Sequence, residues 1–345
     1  MGNGQSSDRR GGHSHSQRPS SAPGPGSYVP LASQLPHMKS NAVNYPVPIN
    51  GSPLTTSRTS RFRAIADKFQ SIEQIQYAFF QEGLEQVNTI LAIDFTKSNE
   101  WNGKNTFGGL SLHYTSQVDG DRRLPNAPAG VDIINPYVRA VQILGKTLSM
   151  FDRKNLIHAY GFGDSLTEDA SVFSFERNDQ PCQGLANVLA RYQAILPHLK
   201  LAGPTSFAPV IDKAIEITRR SGNGFHVLII LADGQVTRPS STPDDGLSLQ
   251  ERATIDALVR ASDYPLSIIL VGVGDGPWDL MKEFDDALPT RTFDNFQFVN
   301  FSELLRAEVT SETQREAWFA LRALMEMPEQ YQTVRNLGLL GRVEG

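Results

Sequence analysis

The chain has 345 residues, 39% of them hydrophobic, with one cysteine and a formal net charge of −5. That length allows one large domain with tails or two small domains. No apolar run reaches the roughly 18 residues of a membrane span, no secretory signal is expected from the polar amino terminus, and Cys182 alone cannot form an internal disulfide or a cysteine-built zinc finger.

Residues 1–60 are rich in Gly, Ser, Pro, Asn and His and lack a periodic apolar pattern, so a disordered arm is expected. Arg9, Arg10, Arg18, Lys39 and Arg58 against Asp8 give this arm +4, leaving −9 on the remainder. An acidic body argues against nucleic-acid binding, and a basic arm suits an anionic membrane surface. The start, Met1-Gly2-Asn3-Gly4-Gln5-Ser6, fits the pattern for myristoylation of Gly2. One acyl chain binds membranes only marginally, and the arginines would supply the second signal. The expected location is cytoplasmic, peripheral to the inner plasma membrane, with the nucleus left open. His13 and His15 read as solvated.

Residues 61–300 form the expected main domain. Apolar residues at spacings of three and four over 61–86 predict one or two amphipathic helices. Residues 87–94 predict a strand. Its centre, Thr89 to Ile93, is β-branched or apolar at every position, which suits a parallel sheet covered on both faces. Turns follow at Asn102-Gly103 and Gly108-Gly109, then a short strand over 110–115 and a loop over 116–130. Asn135-Pro136 opens a helix running to 151. Strands are predicted at 156–162, 226–232, 266–273 and 296–299, with an antiparallel edge at 171–175. Helices are predicted at 184–199, within 205–220, at 249–262 and at 278–284. This alternation predicts an α/β fold: a doubly wound, mainly parallel, Rossmann-like sheet. Residues 301–345 add carboxyl-terminal helices, the strongest over 313–327, as packing elements or a linker.

Asp94, Thr96 and Ser98 follow the first strand at alternate positions. One carboxylate and two hydroxyls make a hard oxygen site suited to Mg²⁺ or Mn²⁺. Loops at the carboxyl ends of strands are where open α/β sheets bind ligands. On spacing alone, an Asx or Ser/Thr turn closing the strand is the simpler reading. Two later segments add candidate ligands: Thr205, opening a helical stretch, and Asp233, ending the 226–232 strand.

With these residues in place the sequence resembles the von Willebrand factor A fold and its metal-ion-dependent adhesion site. The resemblance is closer to the copine branch, through Ala92-Ile-Asp-Phe-Thr-Lys-Ser-Asn99, Tyr160-Gly-Phe-Gly-Asp164, Val271-Gly-Val-Gly-Asp-Gly-Pro-Trp-Asp279 and Phe293-Asp-Asn-Phe-Gln-Phe-Val-Asn-Phe301. It covers residues 62–335. The Gly/Ser-rich arm is similar to that of plant RING-domain ubiquitin ligases, whose RING cysteines these residues do not include. The resemblance implies a cation held by Asp94, Thr96, Ser98, Thr205 and Asp233, with an open coordination position filled by a partner's Asp or Glu. It implies a protein-interaction module in ubiquitin-linked signalling, with RING ligases and ubiquitin-conjugating enzymes as partners. The alternatives are a ligase family member acting through a RING-bearing partner, and a membrane-tethered scaffold with a structural rim. No nucleophile and general base are placed together for catalysis.

Other signals are weaker. Gly272-Val-Gly274-Asp-Gly276-Pro277 approaches the dinucleotide fingerprint, but Pro277 holds the third glycine position, so it reads as a turn. Cys182 reads as a passive loop thiol, His158 and His226 as core histidines, and Lys97 as a solvent-facing charge.

Overall fold

The computed structural model describes residues 70–84, 86–120, 133–152, 154–243, 246–288, 291–306 and 311–341. The chain divides into units over 1–58 and 59–345, and every described residue lies in the second. The expected disordered arm, Gly2 and the helical prediction over 61–69 lie outside the described residues.

Helix α1 (Ile72–Gln81) leads into strand β1 (Asn88–Asp94), a one-turn helix α2 (Ser116–Asp119) and α3 (Pro136–Leu148). Then come β2 (Leu156–Phe162), β3 (Phe173–Ser174), β4 (Cys182–Gln183), α4 (Gly184–Ile195), α5 (Ala208–Arg220) and β5 (His226–Ala232). The chain continues through α6 (Leu249–Ala261), β6 (Leu266–Gly272), α7 (Asp279–Ala287), β7 (Phe296–Asn300), α8 (Phe301–Arg306), α9 (Glu312–Leu324) and α10 (Met327–Asn336).

The sheet runs β3-β2-β1-β5-β6-β7, with β4 also on β2. Strands β2, β1, β5, β6 and β7 are parallel, and β3 and β4 pair antiparallel with β2. All seven residues of β5 and of β6 are buried, because both faces are covered. Alternation along the strands divides the core in two. Ile90, Ala92, Leu228, Ile230, Ile268 and Leu270 face α5, α6 and α7. Leu91, Ile93, Val227, Ile229, Leu231 and Val271 face α1, α3, α4, α9 and α10. The predicted doubly wound sheet is therefore the observed one.

The helix starts follow from local chemistry. Asn135 caps α3 by accepting from the Val138 N–H, with Pro136 in its first turn. Ser248 and Glu251 form a reciprocal capping box on α6. The carboxyl-terminal helices belong to the core: Phe319, Ala323, Leu324, Met327 and Val334 are buried. Tyr331 packs edge-on to Phe225 with ring centres 5.2 Å apart.

Some predictions needed correction. Residues 110–115 do not form a strand. Leu112 N–H donates to the Asn99 carbonyl and Tyr114 N–H to that of Ser111, so the apolar alternation came from a turn packed under the β1 loop. The loop expected over 116–130 begins with α2, and its residues 121–130 lie outside the described residues. The helix expected to reach 199 ends at Ile195, where Pro197 enters a 3₁₀ turn over Leu196–His198. Cys182 is buried in β4 rather than lying in a loop.

Candidate metal centre

Strands β1 and β5 are neighbours, with Ile93 opposite Leu231. Asp94 ends β1, and Asp233 follows the last residue of β5. The register therefore brings both carboxylates to the carboxyl rim of the sheet. The chain then turns outward, so Thr96 precedes a 3₁₀ turn over Lys97–Glu100 that carries Ser98.

A third segment closes in from the β2 side. Lys97 N–H donates to the Ala202 carbonyl at 2.8 Å, and Thr96 and Ala202 form an isolated parallel bridge. This brings Thr205 Oγ1 to 3.5 Å from Thr96 Oγ1. Thr205 is fixed from the β5 loop as well: its N–H donates to Thr237 Oγ1 at 2.7 Å, and Thr237 N–H returns to its carbonyl at 3.0 Å. Thr96 and Ser98 hydroxyls are 3.0 Å apart. All five sequence-predicted residues thus converge; Asp94, Thr96, Thr205 and Asp233 are buried and Ser98 is half-buried.

The carboxylates are poorly satisfied. Asp94 Oδ1 accepts from the Thr96 N–H at 2.7 Å. Asp94 Oδ2 and both Asp233 oxygens are buried and have no hydrogen-bond donor. Buried polar atoms in folded proteins nearly always have a partner. Burial pushes the Asp94 carboxyl up, against the Thr96 N–H that lowers it. Burial also raises the Asp233 carboxyl well above its ordinary range, with the Asp94 charge beside it adding to the rise. This is an electronegative pair that lacks positive charge. Facing hydroxyls make the donor set all oxygen, which fits a hard divalent cation. Among the described residues no group of three or more His, Cys, Asp or Glu side chains gathers for a metal, here or elsewhere, so this site rests on two carboxylates and hydroxyls.

Two glycines permit this closeness. Gly163 has φ +82°, and an added Cβ would collide with the Thr96 methyl and stand 3.4 Å from Asp94 Oδ1. At Gly274 a Cβ would stand 2.5 Å from the Asp233 carbonyl oxygen. The segment 272–277, which approached a dinucleotide fingerprint, is a rim brace. Asp275 accepts from the N–H groups of Asn105 and Thr106, each at 2.8 Å, and its own N–H donates to the Asn102 carbonyl.

Beneath the centre lies a buried polar brace that the sequence did not reveal. His113 Nε2 is 2.8 Å from the Asp94 carbonyl, and its Nδ1 is 2.7 Å from Tyr192 Oη. Burial pushes the His113 pKa down to about 3, so the ring is neutral. A carbonyl can only accept, so the proton sits on Nε2, and Nδ1 accepts from the Tyr192 hydroxyl. The ring stacks between Phe95 and Tyr137, with centres 4.7 and 4.3 Å away. Tyr137 donates to Asn99 Oδ1 at 2.7 Å, and Asn99 Nδ2 donates to the Thr96 carbonyl at 3.1 Å. Asn99 ended a quoted motif. His113, Tyr137 and Tyr192 come from separate segments with no shared spacing.

The side chains of the remaining candidates take no part in the oxygen set. Lys97 is exposed and pairs with Glu100. Burial raises the Cys182 thiol to about 11, which leaves it protonated and unreactive. His226 is buried at the opposite end of β5, with Nδ1 2.6 Å from the Gly224 carbonyl. His158 in β2 is half-buried. No described helix is long and apolar enough to cross a membrane.

Comparison with known proteins gives the family. Residues 130–342 match the copine family. The chain is 51% identical over 285 residues to E3 ubiquitin-protein ligase RGLG5 of Arabidopsis thaliana, covering 83% of this chain and 62% of that protein. It is 50% identical over 284 residues to RGLG3 of the same plant, covering 82% and 73%. Copine family protein 1 of Caenorhabditis elegans is 41% identical over 272 residues, covering 79% of this chain and 22% of that protein. The chain thus spans less than two thirds of RGLG5. Among solved structures, von Willebrand factor type A from Catenulispora acidiphila aligns at 12% identity and TM-score 0.39, over 72% of this chain and 43% of that one. The chain belongs to the copine family.

Proposed function

We propose that Asp94, Thr96, Ser98, Thr205 and Asp233 hold a divalent cation, Mg²⁺ or Mn²⁺, and that this centre recruits partner proteins through an acidic side chain. The observation that carries the reading is the set of three buried carboxylate oxygens without a hydrogen-bond partner, beside the hydroxyls of the β1 loop and of Thr205 from one further segment. Bound there, the cation would supply countercharge and a coordination position for a partner's carboxylate. Asp94 and Asp233 set the charge, and the hydroxyls of Thr96, Ser98 and Thr205 complete an oxygen shell. The His113 brace holds the β1 end rigid from below, as outer-shell partners do in metal sites.

Calorimetry and thermal melting with MgCl₂, MnCl₂ and EDTA test the centre. Either ion should raise the melting temperature in the wild type and leave Asp94→Ala unchanged. An unchanged wild type removes the reading.

The relatives named as ubiquitin ligases favour a role in ubiquitin transfer. In that reading the domain recruits substrates or partners, and a RING-bearing protein and a ubiquitin-conjugating enzyme supply the transfer. Purified chain should be inactive in a ubiquitination assay until a RING-bearing partner is added. Acylation of Gly2 would bring the protein to the inner plasma membrane, and Gly2→Ala should then shift it to the soluble fraction.

A further inference from the structure

Asp94, Thr96 and Ser98 share one stretch of chain, and Asp233 stands across from them at the end of β5. Its carboxylate makes no well-formed hydrogen bond, so its position has to come from its main chain. Gly276 N–H donates to the Asp233 carbonyl at 3.2 Å. That bond ties Asp233 to the loop after β6, but not to the β1 loop that carries the other ligands.

Asn102 supplies that tie. Its N–H donates to the Ser98 carbonyl at 2.9 Å, which fixes it to the 3₁₀ turn bearing a ligand. Its side-chain Nδ2 stands 3.3 Å from the Asp233 carbonyl and 3.3 Å from the Gly276 carbonyl. Its own carbonyl accepts from the Asp275 N–H at 2.8 Å and from the Thr106 hydroxyl at 3.3 Å. One half-buried residue thus joins the β1 loop, the end of β5 and the β6 loop. Closing the turn would need only its main-chain bonds. The side chain instead reaches partners 131 and 174 positions away in the chain. Both partners are carbonyls and can only accept, so the amide nitrogen must face them, and an oxygen in its place would face two others.

Resting on the reading of the centre given above, we propose that Asn102 is a positioning residue that fixes the separation of Asp233 from the β1 ligands, and with it the preference for a small cation. Mg²⁺ demands oxygens at about 2.0–2.1 Å in near-ideal geometry, whereas Ca²⁺ accepts about 2.3–2.6 Å in flexible surroundings. A tether across the rim therefore favours the smaller ion. Cutting it widens the rim, and Mg²⁺ loses more than Ca²⁺.

Titration calorimetry with MgCl₂ and CaCl₂, together with melting in EDTA, compares the full chain with Asn102→Ala, Asn102→Asp and Lys104→Ala. Asn102→Ala should weaken Mg²⁺ binding about tenfold, the low end for groups that hold metal ligands in place. Ca²⁺ binding should fall less, so the preference for Mg²⁺ narrows; a residue that only stabilised the fold would not move this ratio. Asn102→Asp separates position from charge. Attraction alone would tighten cation binding, whereas a carboxylate pushed off two carbonyls should weaken it at least as much as alanine does. Lys104→Ala removes an exposed charge from the same loop and should leave the preference intact. An unaltered preference in Asn102→Ala, tighter Mg²⁺ binding in Asn102→Asp, or an equal narrowing in Lys104→Ala overturns the assignment and leaves the centre standing. If the Asn102 variants do not fold, the unsubstituted protein decides. With its asparagine nitrogens labelled and held in EDTA, its Asn102 side-chain amide protons should exchange slowly with solvent, and free exchange overturns the assignment. Absence of Mg²⁺ binding in the unsubstituted chain removes the centre and the assignment together.

Discussion

Asp233 and Glu251 are both buried carboxylates, at 0% and 1% exposure, separated only by the loop after β5 and the first turn of α6. Their surroundings are opposite. Glu251 accepts two bonds from Arg238, at 3.1 and 2.9 Å, and one from the Ser248 N–H at 2.7 Å. Asp233 makes no well-formed hydrogen bond, is eased only by the Ser98 hydroxyl, and sits beside a second carboxylate. Burial alone therefore does not mark a site. Glu251 has its partners built in and holds the fold together; Asp233 has no such partners and stands against a second buried carboxylate.

That contrast predicts opposite responses to substitution. The largest effect should be on the cation: Asp94→Ala should weaken Mn²⁺ binding by more than about a hundredfold, since loss of outer-shell partners alone costs about 10–100-fold. Titration calorimetry reads this directly. Next, Glu251→Ala should cost about 3 kcal/mol in urea unfolding, the low end for breaking a buried pair because Arg238 is partly exposed. Asp233→Asn in EDTA should instead stabilise the protein, because it removes like-charge repulsion. If both substitutions destabilise equally, the contrast fails.

Gly163→Ala should cost about 1–2 kcal/mol through its positive φ and its collision with Thr96, and should weaken cation binding in parallel. A smaller effect belongs to the far end of β5. Burial lowers the His226 pKa to about 4, below its unfolded value of about 6.5. The folded state binds fewer protons there, so this contribution is complete above the unfolded value and is lost as pH falls from about 6.5 to about 4. His226→Gln should flatten that part of the stability–pH curve. Smallest of all, Lys97→Ala should change stability by less than about 0.5 kcal/mol, because its ion pair with Glu100 is exposed. Thermal melts resolve each of these.

The parallel strands were legible because burial on both faces demands near-continuous apolar runs, as in Val227 to Ala232 and Ile268 to Val271. The helix start at Asn135-Pro136 was legible because a capping side chain and a first-turn proline suit its free N–H groups, whereas the Ser248 capping box of α6 emerged only in the structure. Residues 110–115 misled because burial in a packed turn imitates the alternation of a strand.

The sequence by itself determined the strand–helix alternation, because apolar periodicity is a local property of the chain, and it offered five candidate ligands whose reading as one set came from the family resemblance rather than from spacing alone. Only the tertiary structure decided that Asp94 and Asp233 lie on neighbouring strands, that Thr205 reaches Thr96 through the Ala202 bridge, and that three carboxylate oxygens lack donors. The same holds for the His113 brace and the Asn102 tie. These depend on register and on loops meeting across long stretches of chain, and no local pattern encodes which distant segment will supply or withhold a hydrogen bond.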